Sequence, residues 1–238
     1  MEVVPTENMK TIFFDIETGP LPESELAALL PPFDPAEVKT GNIKDPEKIA
    51  AKIAEAETNH KRDFNEKAAL DPLTGRVLAI GLLDADSGEF VVIGHDDEAK
   101  TLRDFWDVCR GEMGRLNQMV GFNSFQFDLP FLFRRSWKHR VPIPMGLRRG
   151  RYWSEQLVDL RDGWQLGDRM ARGSLDAIAK HLGVGEKTGD GKNFAQLWSE
   201  DRAKAVAYLR NDLELTAKVG GVVAGICPTH RPAEEVAY

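Results

Sequence analysis

The chain has 238 residues, 42% of them hydrophobic and 29% charged, with a net charge of −7. That length and composition suit one large domain that buries its own core, and they exclude a largely disordered or fibrous protein. The acidic balance argues against nucleic-acid binding spread over the whole surface. No apolar run is long enough to span a bilayer, and MEVVPTENMK lacks the basic-then-apolar order of a secretory signal, so the expected location is cytoplasmic. The two cysteines, Cys109 and Cys227, form no CxxC pair and indicate neither a disulfide framework nor a zinc site.

In chain order, residues 11–17 (TIFFDIE) read as a central strand, left through the segment from Gly19 to Pro22. Residues 23–44 read as irregular, with LPPFDP in the middle. Residues 45–66 read as a long, charged, thinly amphipathic helix with Asp45 as N-cap and Pro46 in the first helical position. RVLAIGLLDAD (76–86) and FVVIGHD (90–96) are strand-like, and DSGE between them suits a hairpin turn. Helical periodicity follows over 98–113, a strand over 118–124 and a helix over 128–139. Residues 156–162 read as a strand, 174–183 as a short helix closed by Gly183, and 199–219 as a helix capped by Ser199. Between the last two lies a polar, Gly-rich loop, VGEKTGDGKN (184–193). Such mixing of strands and helices implies an α/β layer fold with a mixed sheet flanked by helices. Residues 23–70 stand apart as a helical insertion after the first strand, within a single domain covering 1–238. It could be a lid, a docking arm, a wedge that excludes duplex, or simply a solvated helix.

Alternate residues of a strand share a face, so Asp15 and Glu17 point the same way. Two close carboxylates repel, more so out of water, and a divalent cation with its preference for oxygen removes the conflict. Taken alone, the pair fits a solvated strand end as well. Asp128 falls where a strand gives way to a helix, with Pro130 marking the helix start, and a plain N-cap explains it too. Tyr208 and Asp212 are four apart on one helical face, at the edge of the stripe of Val206, Leu209 and Leu213. A core tyrosine beside a surface aspartate is the competing reading.

Together, FDIET, then N-x3-FD, then Y-x3-D in this order resemble the three motifs of the DEDD 3′–5′ exonucleases, which share the ribonuclease H-like fold. Tyr208 stands four residues before Asp212, similar to the tyrosine subtype, whereas Ala207 occupies the place of the histidine of the other subtype. GFNSFQFDLPFL, SLDAIAKHLGV and YLRNDLELT look like the exonuclease domain of family B DNA polymerases, and like stand-alone proteins related to it. The resemblance covers about 11–20 and 76–219. It implies phosphodiester hydrolysis assisted by two Mg²⁺ or Mn²⁺ ions, a metal choice that suits an all-carboxylate donor set. Under it Asp15 bridges both ions, Glu17 and Asp212 serve the ion that holds the attacking water, Asp128 serves the other, and Tyr208 orients the nucleophile. Asn123 and Phe127 would contact the terminal nucleotide, although Phe127 also reads as core.

From Arg134 to Arg151 the sequence RRSWKHRVPIPMGLRRGR carries seven Lys or Arg and no acid. Arg134, Arg135, Lys138, Arg148, Arg149 and Arg151 are candidates for a track along a single strand, with Trp137, Tyr152 and Trp153 available for stacking. A solvated helix face with Trp137 in the core is the other reading. The expected substrate is single-stranded DNA in preference to RNA, and the expected partner a separate polymerase or replication or repair protein. An exoribonuclease with the same site, and a catalytically silent nucleic-acid-binding module, are the alternatives.

Overall fold

The computed structural model describes residues 9–111, 115–149, 152–168, 170–188 and 194–226. Two compact units form, one taking the chain up to Glu17 and from Val77 onward, the other Thr18–Arg76.

The first unit is built on a five-stranded sheet. Its strands are β1 (Thr11–Pro20), β2 (Gly75–Asp84), β3 (Phe90–Ile93) and β4 (Gln118–Gly121), with β7 (Leu157–Asp159). The order is β3-β2-β1-β4-β7. β1 pairs in parallel with β4 and β4 with β7, while β2 and β3 run antiparallel. The sheet is therefore mixed, as the alternation of elements requires. β5 (Arg148–Arg149) and β6 (Tyr152–Trp153) form a separate antiparallel pair.

The alternation of side chains along β1 decides what each face of the sheet meets. Ile12, Phe14 and Ile16 pack with Leu102, Phe105 and Trp106 of α3 (Glu98–Arg110) and with Leu129, Phe131 and Leu132 of α4 (Asp128–His139). Phe13 packs on the other face, with Leu175 and Ile178 of α6 (Leu175–Leu182) and Leu213 and Val219 of α8 (Arg202–Val223). Both faces are thus covered by helices, the arrangement in which central strands become almost wholly apolar. A side chain at Gly220 would meet the Phe13 ring at 2.9 Å, and one at Gly81 would meet Leu209 and Leu213 of α8 at 2.7 Å. Two glycines, one on the sheet and one on the helix, therefore let α8 lie close against the strands.

Several boundaries differ from the sequence reading, each for a local reason. β4 stops at Gly121 rather than 124, because Asn123 adopts a left-handed backbone with φ of 62°. β7 ends at Asp159, whose carboxylate accepts from the backbone N–H of Arg161 and Asp162 and starts the short α5 (Leu160–Gln165). The last helix is two: α7 (Phe194–Glu200) and α8, with Asp201 capping α8 by accepting from the Lys204 N–H. Ser199 is not a cap, since its hydroxyl donates to the Gln196 carbonyl. Ser174 and Gly183 do bound α6 as expected.

The second unit holds α1 (Glu23–Leu29), a 3₁₀ turn (Pro35–Glu37) and α2 (Pro46–Ala68), so part of the segment read as irregular is helical. Asp45 caps α2, accepting from the Glu47 N–H at 3.0 Å. His60 of α2 bonds the Pro31 carbonyl at 3.0 Å and its ring tilts against Phe33. No helix among the described residues is long and apolar enough to cross a membrane.

Candidate functional site

Asp15 and Glu17 follow Phe13 at two-residue steps, so they share its face of the sheet, the one α8 covers. Asp212 lies on α8 one residue before Leu213, which packs in the same cluster as Phe13. Oxygens of Asp15, Glu17 and Asp212 all come within 4.8 Å of one another. Asp128 opens α4 and reaches the same strand, where its Oδ1 accepts from the Ile16 N–H at 3.1 Å. Its place at the start of α4 thus lets it tie that helix to β1. One helical turn before Asp212, Tyr208 lies close enough for the Asp212 and Glu17 charges to act on its phenol. Four acidic groups and a phenol from β1, α4 and α8 therefore converge.

Their electrostatics record the crowding. Burial, then the charge of Asp212, raises Asp15 from 3.8 to about 7. Burial, then Asp15 and Asp212, holds Glu17 well above the usual carboxylate range, and burial with the charge of Asp15 does the same for Asp128. Burial and then the nearby Asp212 and Glu17 charges push the Tyr208 phenol upward, so it keeps its proton. Such a cluster strains the chain unless positive charge enters.

Part of that charge is supplied by a residue the sequence reading did not single out. Lys187 Nζ lies 2.6 Å from Asp212 Oδ2, lowers the pKa of both Asp15 and Glu17, and sits 5.8 Å from the centre of the Tyr208 ring. Its backbone N–H donates to Asp176 Oδ1 at 2.9 Å, which ties this loop to the first turn of α6. The remaining donor set is carboxylate oxygen alone, without thiolate or imidazole, and suits a hard divalent cation such as Mg²⁺ or Mn²⁺.

The candidates for strand contact divide. Arg134, Lys138 and Arg148 are exposed, as are Trp137 and Tyr152. Arg148 stacks over Trp153 at 5.0 Å, and Trp153 in turn stacks on Phe125. Arg135 is a correction. It is only 3% exposed, and its guanidinium donates Nε to Glu98 Oε1 at 2.9 Å and Nη2 to Oε2 at 2.6 Å. A guanidinium clamped inside the fold cannot line a strand. Asn123 is half-buried, and half-buried Phe127 packs against Phe131 at the margin of the core. Arg151 and the side chain of Arg149 lie outside the described residues.

Residues 70–216 match the model of a family described as a predicted 3′–5′ exonuclease related to the exonuclease domain of PolB. The chain belongs to this family. The match contains Asp128, Lys187, Tyr208 and Asp212 and begins after β1, so Asp15 and Glu17 join the site from outside the matched segment. The PolB-related fold is also found in the family B DNA polymerase of the hyperthermophilic archaeon Pyrobaculum calidifontis. The TM-score is 0.59 at 17% identity, over 91% of this chain and 25% of the polymerase. The chain spans about a quarter of that protein's length, and the likeness is one of fold: a mixed sheet flanked by helices, of ribonuclease H type. No curated protein matches the sequence.

Proposed function

We propose that this protein is a metal-dependent 3′–5′ exonuclease of the tyrosine subtype that shortens single-stranded DNA. The observation that carries the reading is the meeting of Asp15, Glu17 and Asp212 within 4.8 Å, with Asp128 of α4 bonded to the same strand and Tyr208 one turn before Asp212. Asp15, Glu17, Asp128 and Asp212 would hold two Mg²⁺ or Mn²⁺ ions, which when bound activate water and stabilise charge on the phosphate. In the reaction a water oxygen bonds to the terminal phosphorus and the bond from phosphorus to the 3′ oxygen breaks. A nucleoside 5′-monophosphate leaves, and the shortened strand keeps a 3′-hydroxyl.

The chain's own residues have distinct parts in this. Tyr208 stays a phenol, so it orients by hydrogen bonding and does not act as the base. Lys187 offsets part of the carboxylate repulsion and holds Asp212 in place through their 2.6 Å contact. Asn123, exposed Arg134, Lys138 and Arg148, and the rings of Trp137 and Tyr152 would hold the strand through its phosphates and bases. A separate polymerase or repair protein is the partner this activity would serve.

The test uses 5′-labelled DNA and RNA oligonucleotides, single-stranded and duplex, with Mg²⁺, Mn²⁺ or EDTA. A ladder shortening from the 3′ end of single-stranded DNA, absent in EDTA and absent for Asp15→Asn, is the expected result. Cleavage that persists in EDTA, or faster loss of RNA than of DNA, would sink the reading as stated.

A further inference from the structure

A polar cavity of about 610 Å³ is lined by Asn123, Phe125, Gln126, Asp159, Arg161, Asp162 and Gln165. Asp159 is 5% exposed and spends its carboxylate on backbone donors. Oδ1 accepts from the Asn123 N–H at 2.8 Å and the Arg161 N–H at 2.9 Å, and Oδ2 accepts from the Phe125 N–H at 2.8 Å. The loop that carries Asn123 into Asp128 is therefore fastened at two points to the end of β7. Arg161 fastens the side chain as well, its Nη1 donating to Asn123 Oδ1 at 2.7 Å.

Asn123 sits at φ of 62°, the left-handed conformation that asparagine takes more readily than other non-glycine residues. One feature of this arrangement exceeds what loop closure needs. Arg161 Nε is buried without a hydrogen-bond partner, an unusual position for a charged donor. Meanwhile the Asn123 NH₂ group has no acceptor among the described residues. The amide's oxygen is committed and its donors are left for a ligand.

We infer that Arg161, seated by Asp159, is a positioning residue that presets Asn123 so that its amide NH₂ meets the nucleic-acid strand. The assignment rests on the exonuclease reading above. Arg161 acts through Asn123: by taking the carbonyl oxygen it decides which end of the amide faces the cavity. Without it the amide is free to turn and present its carbonyl oxygen, which cannot donate to a phosphate oxygen.

Steady-state rates on a 5′-fluorescein-labelled oligothymidylate with Mg²⁺ separate KM from kcat. Anisotropy of the same oligonucleotide with Ca²⁺ reads binding by itself. Arg161→Met, which removes the donor, is expected to raise KM and the anisotropy Kd about tenfold, with kcat within about twofold. Asn123→Gly keeps the left-handed backbone but removes the amide, and should weaken binding by a similar factor. The double variant should be no weaker than Asn123→Gly alone, because the two residues act as one unit. Arg161→Lys, which retains a donor for Asn123 Oδ1, should recover part of the loss. Oligonucleotide shortening by the unaltered protein together with an unchanged KM for Arg161→Met, or losses that add in the double variant, overturns this inference alone. A protein that neither shortens nor binds the oligonucleotide overturns both this inference and the exonuclease reading.

Discussion

Asp15 shows how one half-buried carboxylate couples acidity to stability. Burial and Asp212 raise it from 3.8 to about 7, so the folded, metal-free chain binds this proton more tightly than the unfolded chain does. The stabilisation that follows is complete below about 4 and is lost as pH rises through about 7. Asn at this position never ionises and escapes the loss. In EDTA, Asp15→Asn should therefore match the unaltered protein near pH 4 and exceed it by on the order of 4 kcal/mol at pH 8. Thermal melts across that range check the sign, and a gap that closes with rising pH would refute it. Asp212→Asn should show no such gain, since it strips Lys187 of its partner at 2.6 Å. Both variants should lose nuclease activity.

Within α4, neighbouring arginines have opposite fates. Arg134 is exposed, while Arg135 follows Phe131 and Leu132 at four and three residues and so shares their buried face. That spacing was present in the sequence, but a run of basic residues drew the reading toward a binding track. Glu98, which accepts from Arg135, also accepts from the Val77 N–H at 2.9 Å, so the pair joins α3, α4 and β2. Arg135→Met should destabilise by about 3–5 kcal/mol in urea titrations, because it leaves a buried carboxylate short of its counter-charge. Arg134→Ala and Lys138→Ala should stay within about 0.5 kcal/mol. The contact of α8 with β2 makes a second test. A Cβ at Gly81 would sit 2.7 Å from Leu209 and Leu213. Gly81→Val should cost at least about 1–3 kcal/mol and, by displacing the helix that carries Tyr208 and Asp212, should lower kcat as well.

Across the whole molecule, what was legible from sequence was chemistry repeated at the period of its element. Asp15 and Glu17 at a two-residue step, and Tyr208 and Asp212 at a four-residue step, named the faces that would meet. The mixed sheet followed from the order of apolar runs. Lys187 was not legible, because VGEKTGDGKN has no periodicity to say which of its residues points inward. Nor was α1, seven residues long and flanked by prolines. The assembled site should report its cation through global stability. Mg²⁺ at a hundredfold excess over its Kd should stabilise the protein by about 2.7 kcal/mol in thermal melts, and Asp15→Asn should remove most of that shift.

The place of β1 between β2 and β4 also bears on synthesis. Thr11 is hydrogen-bonded to Gln118, 107 residues downstream. At ribosomal speeds of about 5–20 residues per second, the nascent strand waits roughly 5–20 s for that neighbour. During this interval the apolar stretch from Ile12 to Phe14 has its β4 side unpaired, an open strand edge that other chains can pair with.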